Sequence, residues 1–293
     1  MEAPLISVCV ITYQQVNYIR NCLDAILMQR TSFPFEIIIG EDESKDGTRE
    51  VCLEYAEKYP EKISLFLRSR KDVIYVNGSP NGRYNFIECI KSAKGKYIAI
   101  CEGDDFWTDP NKLQKQADFL ETHSEYVGCF HNTEERYEDD HDRASFLYCN
   151  FPTSRNVSFS DLSFSNLIPT CSILYKSKLF GEFPEWYFKI TMGDWPLHLL
   201  NAQFGVFWYF PKVMAVHRLH SKSIWMLQDA NLNIKNTLDA YDTMINAFSN
   251  NKKYSELLIQ AKTSFIKHHE LIYTKSNIKH RVKRLMVRLI EKL

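Results

Sequence analysis

The sequence has no apolar run approaching about 20 residues, so no segment of it reads as a membrane-spanning helix. It carries no net charge, because Lys+Arg and Asp+Glu both number 36. That balance argues against binding through bulk positive charge, and no nucleic-acid partner is expected. Glycine and proline are scarce, at 10 each, which excludes a collagenous or linker-rich chain. The start, Met1 to Ser7, lacks a basic opening followed by a long apolar stretch. No signal peptide is therefore expected, and a cytoplasmic location is. The 8 cysteines contain no C-x-x-C pair, which argues against a zinc site or a small disulfide framework. Several sit inside apolar runs and read as buried, reduced thiols.

What is present is ordinary globular usage: 45% apolar and 25% charged residues over 293 positions. The zero net charge conceals segregation. From Lys262 to Leu293 the chain carries +7, leaving −7 on the rest. Leu5–Thr12 is a short apolar, β-branched run, the pattern of a strand buried on both faces, and Phe35–Gly40, Ile63–Leu67 and Lys96–Cys101 read as a second, third and fourth strand. Between them lie helical patterns: Tyr18 to Leu27, Thr48 to Tyr59 with Thr48 as N-cap, and Asn85 to Ala93. This alternation predicts an α/β fold with a mostly parallel sheet and crossover helices. Glu134–Arg143 reads as an acidic loop, Gly193–Phe204 as a helix, and Phe207–Val216 as a strand. From Asp229 onward the chain is predicted helical, with breaks near Asn250-Asn251 and Lys275–Asn277.

The sharpest local feature is Glu102-Gly103-Asp104-Asp105, at the end of the fourth predicted strand. Three carboxylates within four residues repel one another, and a cation would offset that. In open α/β sheets this edge is where ligands bind. Hard oxygen donors suit Mg²⁺ or Mn²⁺ bridging to phosphates, and Gly103 allows a tight backbone approach. The competing reading is a solvated acidic turn before a helix starting near Pro110.

Three stretches, Val8–Tyr13, Ile37–Thr48 and Gly95–Asp105, together resemble the family 2 glycosyltransferases of bacterial glycan synthesis in order and spacing. The resemblance extends over roughly residues 5–225. It implies a GT-A fold, meaning a Rossmann-like, mostly parallel central sheet flanked by helices, here with a C-terminal helical appendage. The implied division is a GT-A domain over 1–228, with a nucleotide-sugar half of about 1–128 and an acceptor half of about 129–228. A helical region, 229–293, follows. The implied activity is inverting, metal-dependent hexosyl or N-acetylhexosaminyl transfer from a nucleotide-sugar, with UDP favoured, to a glycan or lipid-linked acceptor. Thr12 and Tyr13 would line the base pocket, and Asp42, or failing that Glu41, would accept a hydrogen bond from the base. Glu102 stands where the family usually has Asp and would reach a ribose hydroxyl. Asp104 would contact the donor diphosphate through Mg²⁺ or Mn²⁺, with either Asp104 or Asp105 the direct ligand. Arg83 and Asn85 would touch the donor.

Asp194, at the start of the predicted helix, resembles the family's catalytic base, where Gly193 replaces a second acid. A plain helix cap is the alternative. His220 would be a third metal ligand, with Arg218 or Lys222 neutralising phosphate. Ile168–Ser172 would face the acceptor. The segment 276–293 reads as a basic amphipathic helix, fit either for an anionic membrane surface on the inner face of the plasma membrane or for packing on the acidic body. Two rival functions remain: a catalytically degenerate sugar-nucleotide-binding protein and a nucleotidyltransferase. The loop Gln14–Tyr18 lacks the glycines the latter needs.

Overall fold

The computed structural model describes residues 3–140, 142–221 and 229–270. Lys222 and the basic segment 276–293 lie outside the described residues. In chain order the elements are β1 (Ile6–Thr12), α1 (Ile19–Leu27), β2 (Phe35–Glu41), α2 (Thr48–Lys58), β3 (Ile63–Leu67), the hairpin β4 (Ile74–Val76) and β5 (Ser79–Asn81), and α3 (Arg83–Ser92). Then come β6 (Tyr97–Glu102), β7 (Phe106–Trp107), α4 (Lys112–Thr122), β8 (Tyr126–Tyr137), β9 (Phe146–Leu147) and β10 (Arg155–Val157). The rest are α5 (Phe159–Phe164), β11 (Leu174–Lys176), α6 (Asp194–Ala202), β12 (Val206–Leu219) and α7 (Ala230–Ala247). Residues 252–270 are helical, after the predicted break at Asn250-Asn251.

One sheet organises these elements, in the order β10-β12-β8-β11-β6-β1-β2-β3. β6, β1, β2 and β3 run parallel, as their uninterrupted apolar runs require. β11 is antiparallel to both its neighbours and joins this half to the β8–β12 pair. Successive residues of β1 face opposite layers. Val8 and Val10 pack with α1, α2 and α4, whereas Cys9 packs with α3 and with the second half of the chain. All 8 cysteines are buried free thiols. α3 lies so close to β2 that a Cβ on Gly40 would come 1.9 Å from Asn85 Oδ1.

Two local expectations are corrected. Glu134–Tyr137 belongs to β8, because that strand is hydrogen-bonded on both sides, to β12 and β9. Its acidic residues are matched within the strand layer: Glu134 by Arg136, and Glu135 by His217 and Thr133. Thr48 opens α2 but does not cap it. The cap position is Gly47, in the left-handed region at φ 104°, and Asp46 accepts the Thr48 amide at 3.0 Å.

Candidate active site

Sheet register sets the first half of the site. Thr12 pairs with Glu41, and Ile11 pairs with Glu102, so the carboxyl ends of β1, β2 and β6 finish level. Tyr13, Asp42 and the acidic run after β6 therefore emerge along one edge, where parallel sheets bind ligands. Tyr13 is 42% exposed, enough to offer a ring face. The Arg70 guanidinium lies 4.3 Å from its centroid and donates to Asp42 Oδ2 at 2.6 Å. Burial raises the Asp42 carboxyl above its ordinary value, Arg70 opposes that shift, and Glu41 and Glu43 add to it. Thr12 is buried, and its hydroxyl donates to Gln15 Oε1 at 2.8 Å. A Cβ on Gly103 would come 2.7 Å from Thr12 Oγ1, so only glycine lets the acidic turn pass this close.

The acidic residues divide. Asp104 Oδ2 lies 3.0 Å from His220 Nε2, and the His220 ring packs against Tyr18 at a 31° tilt, with centroids 4.9 Å apart. Beside them is a polar cleft of about 190 Å³, lined among others by Gln14, Asn17, Asp46 and Ser221. Asp105 instead is fully buried and accepts the Arg218 amide at 2.9 Å. Burial, with Asp104 adding, raises its carboxyl to about 7. Glu102 is raised well above its ordinary value by burial, then by Asp104 and Asp105, with a smaller push from Asp194. Burial works against a charge on His217, yet Asp105 and Glu135 outweigh it and raise the ring to about 10.

Among the described residues no group of three His, Cys, Asp or Glu side chains is arranged to hold a metal. The Asp104–His220 pair nonetheless fits as the protein's share of a divalent site. It offers one hard oxygen and one imidazole nitrogen, leaving other positions to phosphate oxygens and water.

The second half of the site comes from α6. Asp194 is the first residue of that helix, and Gly193 occupies the cap position. The Asp194 carboxylate is held by Asn166, whose Nδ2 donates to Oδ2 at 2.6 Å.

The model of the family described as "Glycosyl transferase family 2" matches residues 7–180. The chain belongs to that family. An uncharacterized protein of Mycobacterium tuberculosis is 37% identical over 220 residues, 75% of this chain and 60% of that protein. The chain thus spans about 60% of the length of that relative. Among solved structures, Staphylococcus aureus TarS 1-349 in complex with UDP-GlcNAc has a TM-score of 0.61 at 18% identity, covering 89% of this chain and 73% of that one. The mannosyltransferase PcManGT of Pyrobaculum calidifontis, in complex with GDP-Man and Mn²⁺, has a TM-score of 0.61 at 16% identity, covering 90% and 70%. Both share the GT-A fold with this family 2 glycosyltransferase.

Several expected contacts are tied into the scaffold. Glu41 is fully buried and accepts from the Ser44 amide and from Arg49, whereas Asp42 meets Arg70 beside Tyr13. Asn85 is buried and donates to Gly40 O at 2.8 Å, tying α3 to β2. Arg83 is 2% exposed and donates to Ile190 O at 2.9 Å and Thr191 O at 3.1 Å, so it holds the loop before Asp194. A Cβ at Gly193 would stand 2.1 Å from Arg83 Nη1, which gives the missing second acid a steric cause. Arg218 is buried and donates to Asp104 O, Glu138 and Asn21. Asp105 is likewise buried, with one oxygen accepting the Arg218 amide. In the stretch Ile168–Ser172, Ile168, Cys171 and Ser172 are buried, and Trp107 Nε1 donates to Cys171 O at 2.8 Å, so packing leaves little of it for an acceptor. Arg70 and Asn166 escaped sequence reading because neither lies in a motif. An arginine shortly after the third strand was the only signal for the first, and the second had none.

Proposed function

We propose that the protein transfers a sugar from a nucleotide-sugar, with a UDP-sugar favoured, to a hydroxyl of a glycan or lipid-linked acceptor, with inversion at the anomeric carbon. The observation that carries this is the pairing of Asp104 with His220 at an acidic sheet edge that Asp194 approaches closely enough to add to the charge burden on Glu102. Tyr13 offers its ring to the base, and Asp42, steadied by Arg70, accepts from it. Asp104 and His220 would hold a divalent cation, which would supply neutralisation of the charge developing on the diphosphate. Asp194 takes the proton of the acceptor hydroxyl as that oxygen bonds to C1. The bond from C1 to the diphosphate oxygen breaks, and the nucleoside diphosphate leaves with the electron pair. The complexes of the two structural neighbours, with UDP-GlcNAc and with GDP-Man and Mn²⁺, support this reading of the donor and the metal. The basic segment 276–293 would hold the enzyme against an anionic membrane surface, and liposome binding that falls with salt tests that part.

The deciding experiment screens UDP-, GDP- and dTDP-sugars for release of the nucleoside diphosphate with Mn²⁺, and measures UDP affinity for wild type and Asp104→Asn. Release from one donor class, with metal-dependent affinity lost in the variant, supports the proposal. Undiminished UDP affinity in the variant removes Asp104 from the metal site. Donor binding with no release from any sugar favours the degenerate binding protein.

A further inference from the structure

The base has a holder that no motif announces. Asn166 lies beyond the end of α5, in the segment leading towards β11, 28 residues before Asp194 in sequence. Its Nδ2 donates to Asp194 Oδ2 at 2.6 Å. Its own carbonyl accepts the Tyr148 hydroxyl at 2.7 Å, which ties the Asn166 backbone to the strand layer near β9. Its amide oxygen, Oδ1, is buried and has no hydrogen-bond partner among the described residues. A buried acceptor left alone is costly, so some other contact must fix the amide in this orientation. The Asp194 carboxylate supplies it, because the flipped amide would set oxygen against oxygen.

We propose that Asn166 is a positioning residue that clamps one oxygen of Asp194 and leaves the other, Oδ1, aimed at the acceptor hydroxyl. This rests on the reading of Asp194 as the proton acceptor. Clamping a carboxylate by a single amide donor does two things. It removes rotational freedom of the accepting oxygen, and it favours the ionised form needed before proton transfer. The charged and titratable neighbours of Asp194 are Glu102 from β6, Tyr148 next to β9, Tyr187 from the turn before α6, and His198 one turn along α6. Burial lowers His198 to about 4, so it brings no charge at neutral pH. The tyrosines are raised and neutral, Tyr187 to about 12.

The test uses the full chain and follows release of UDP from the best UDP-sugar in Mn²⁺. Asn166→Ala is expected to lose about tenfold in kcat with donor KM within about twofold. Asn166→Ser keeps a donor, is expected to recover part of that loss, and guards against misfolding of the alanine variant. Asn166→Asp sets a second carboxylate against Asp194 and is expected to lose more than alanine. Unchanged kcat in folded Asn166→Ala overturns the inference, provided Asp194→Asn itself is inactive. So does a loss that falls on donor KM instead of kcat, or a serine variant no better than alanine. If Asp194→Asn retains full turnover, it is the choice of base that fails, a result distinct from either.

Discussion

The two sides of the site are built differently. On the donor side, Tyr13, Asp42 and Asp104 follow directly on β1, β2 and β6, three parallel strands whose register fixes where the side chains emerge. On the base side, Asp194 opens a helix whose position depends on particular side-chain bonds: Arg83 to Ile190 O and Thr191 O, Tyr187 to Gly193 O, and Asn166 to the carboxylate itself. A sheet edge places chemistry through many shared backbone bonds, so one substitution seldom moves it. A residue at the first position of a helix, reached through an irregular segment and held by single side-chain bonds, depends on fewer contacts, and each of them is a separate point of failure.

The largest expected effect lies on the base side. Asp194→Asn should lose roughly 10²–10⁴-fold in turnover, the usual worth of a general base, while binding the donor as wild type does. Rapid-quench kinetics together with donor titration separates the two. Loss of donor affinity would place Asp194 in the donor half and collapse the contrast.

Lys112 supplies a control for burial without reaction chemistry. It is fully buried, with Nζ 2.8 Å from Gln116 Oε1 and 4.0 Å from the Trp107 ring centroid. Burial lowers it from 10.5 to about 8. The folded state therefore holds this proton less tightly than the unfolded chain does. The resulting cost to stability is present in full below about pH 8 and is relieved as pH rises to 10.5. Wild type should gain up to about 3 kcal/mol relative to Lys112→Met across that window, measured by urea unfolding at each pH. A constant difference would mean that Lys112 is not the group titrating.

The smallest effect tests the steric account of position 193. Gly193→Ala should lower stability by about 1–3 kcal/mol through its clash with Arg83. In a cycle with Arg83→Ala the two losses should fall short of additive, since removing the guanidinium makes room for the methyl group. Full additivity in thermal melts would disconnect Gly193 from Arg83.

The same contrast explains what could be read in advance. β1, β2 and β6 were legible because strands buried on both faces are nearly uniform in hydrophobicity, and the ends of β2 and β6 located Asp42 and Asp104. Glu134–Tyr137 misled because polar residues look like a loop until the partners on both sides, β9 and β12, are known. Glu41, Asn85, Arg83 and Arg218 are of residue types that suit ligands. Which of them face the cleft depends on the Ser44 amide, Gly40 O, Thr191 O and Glu138, contacts that lie between 3 and 108 residues away in sequence. Asp194 was legible as a residue type at a helix start, but Asn166, which holds it, was not, because a lone asparagine in a connecting segment has no local signature.

The link between Asp104 and His220 also has a meaning in time. The partners are 116 residues apart, and the second follows directly on β12. During synthesis the chain grows from its N-terminus, and early segments begin to fold while later ones are still being made. The parallel strands and their carboxylates are therefore synthesised well before His220. Asp194 emerges between the two, so the imidazole is the last of these parts to arrive. The pair is therefore complete only after β12 has been made, however early the acidic turn after β6 was in place.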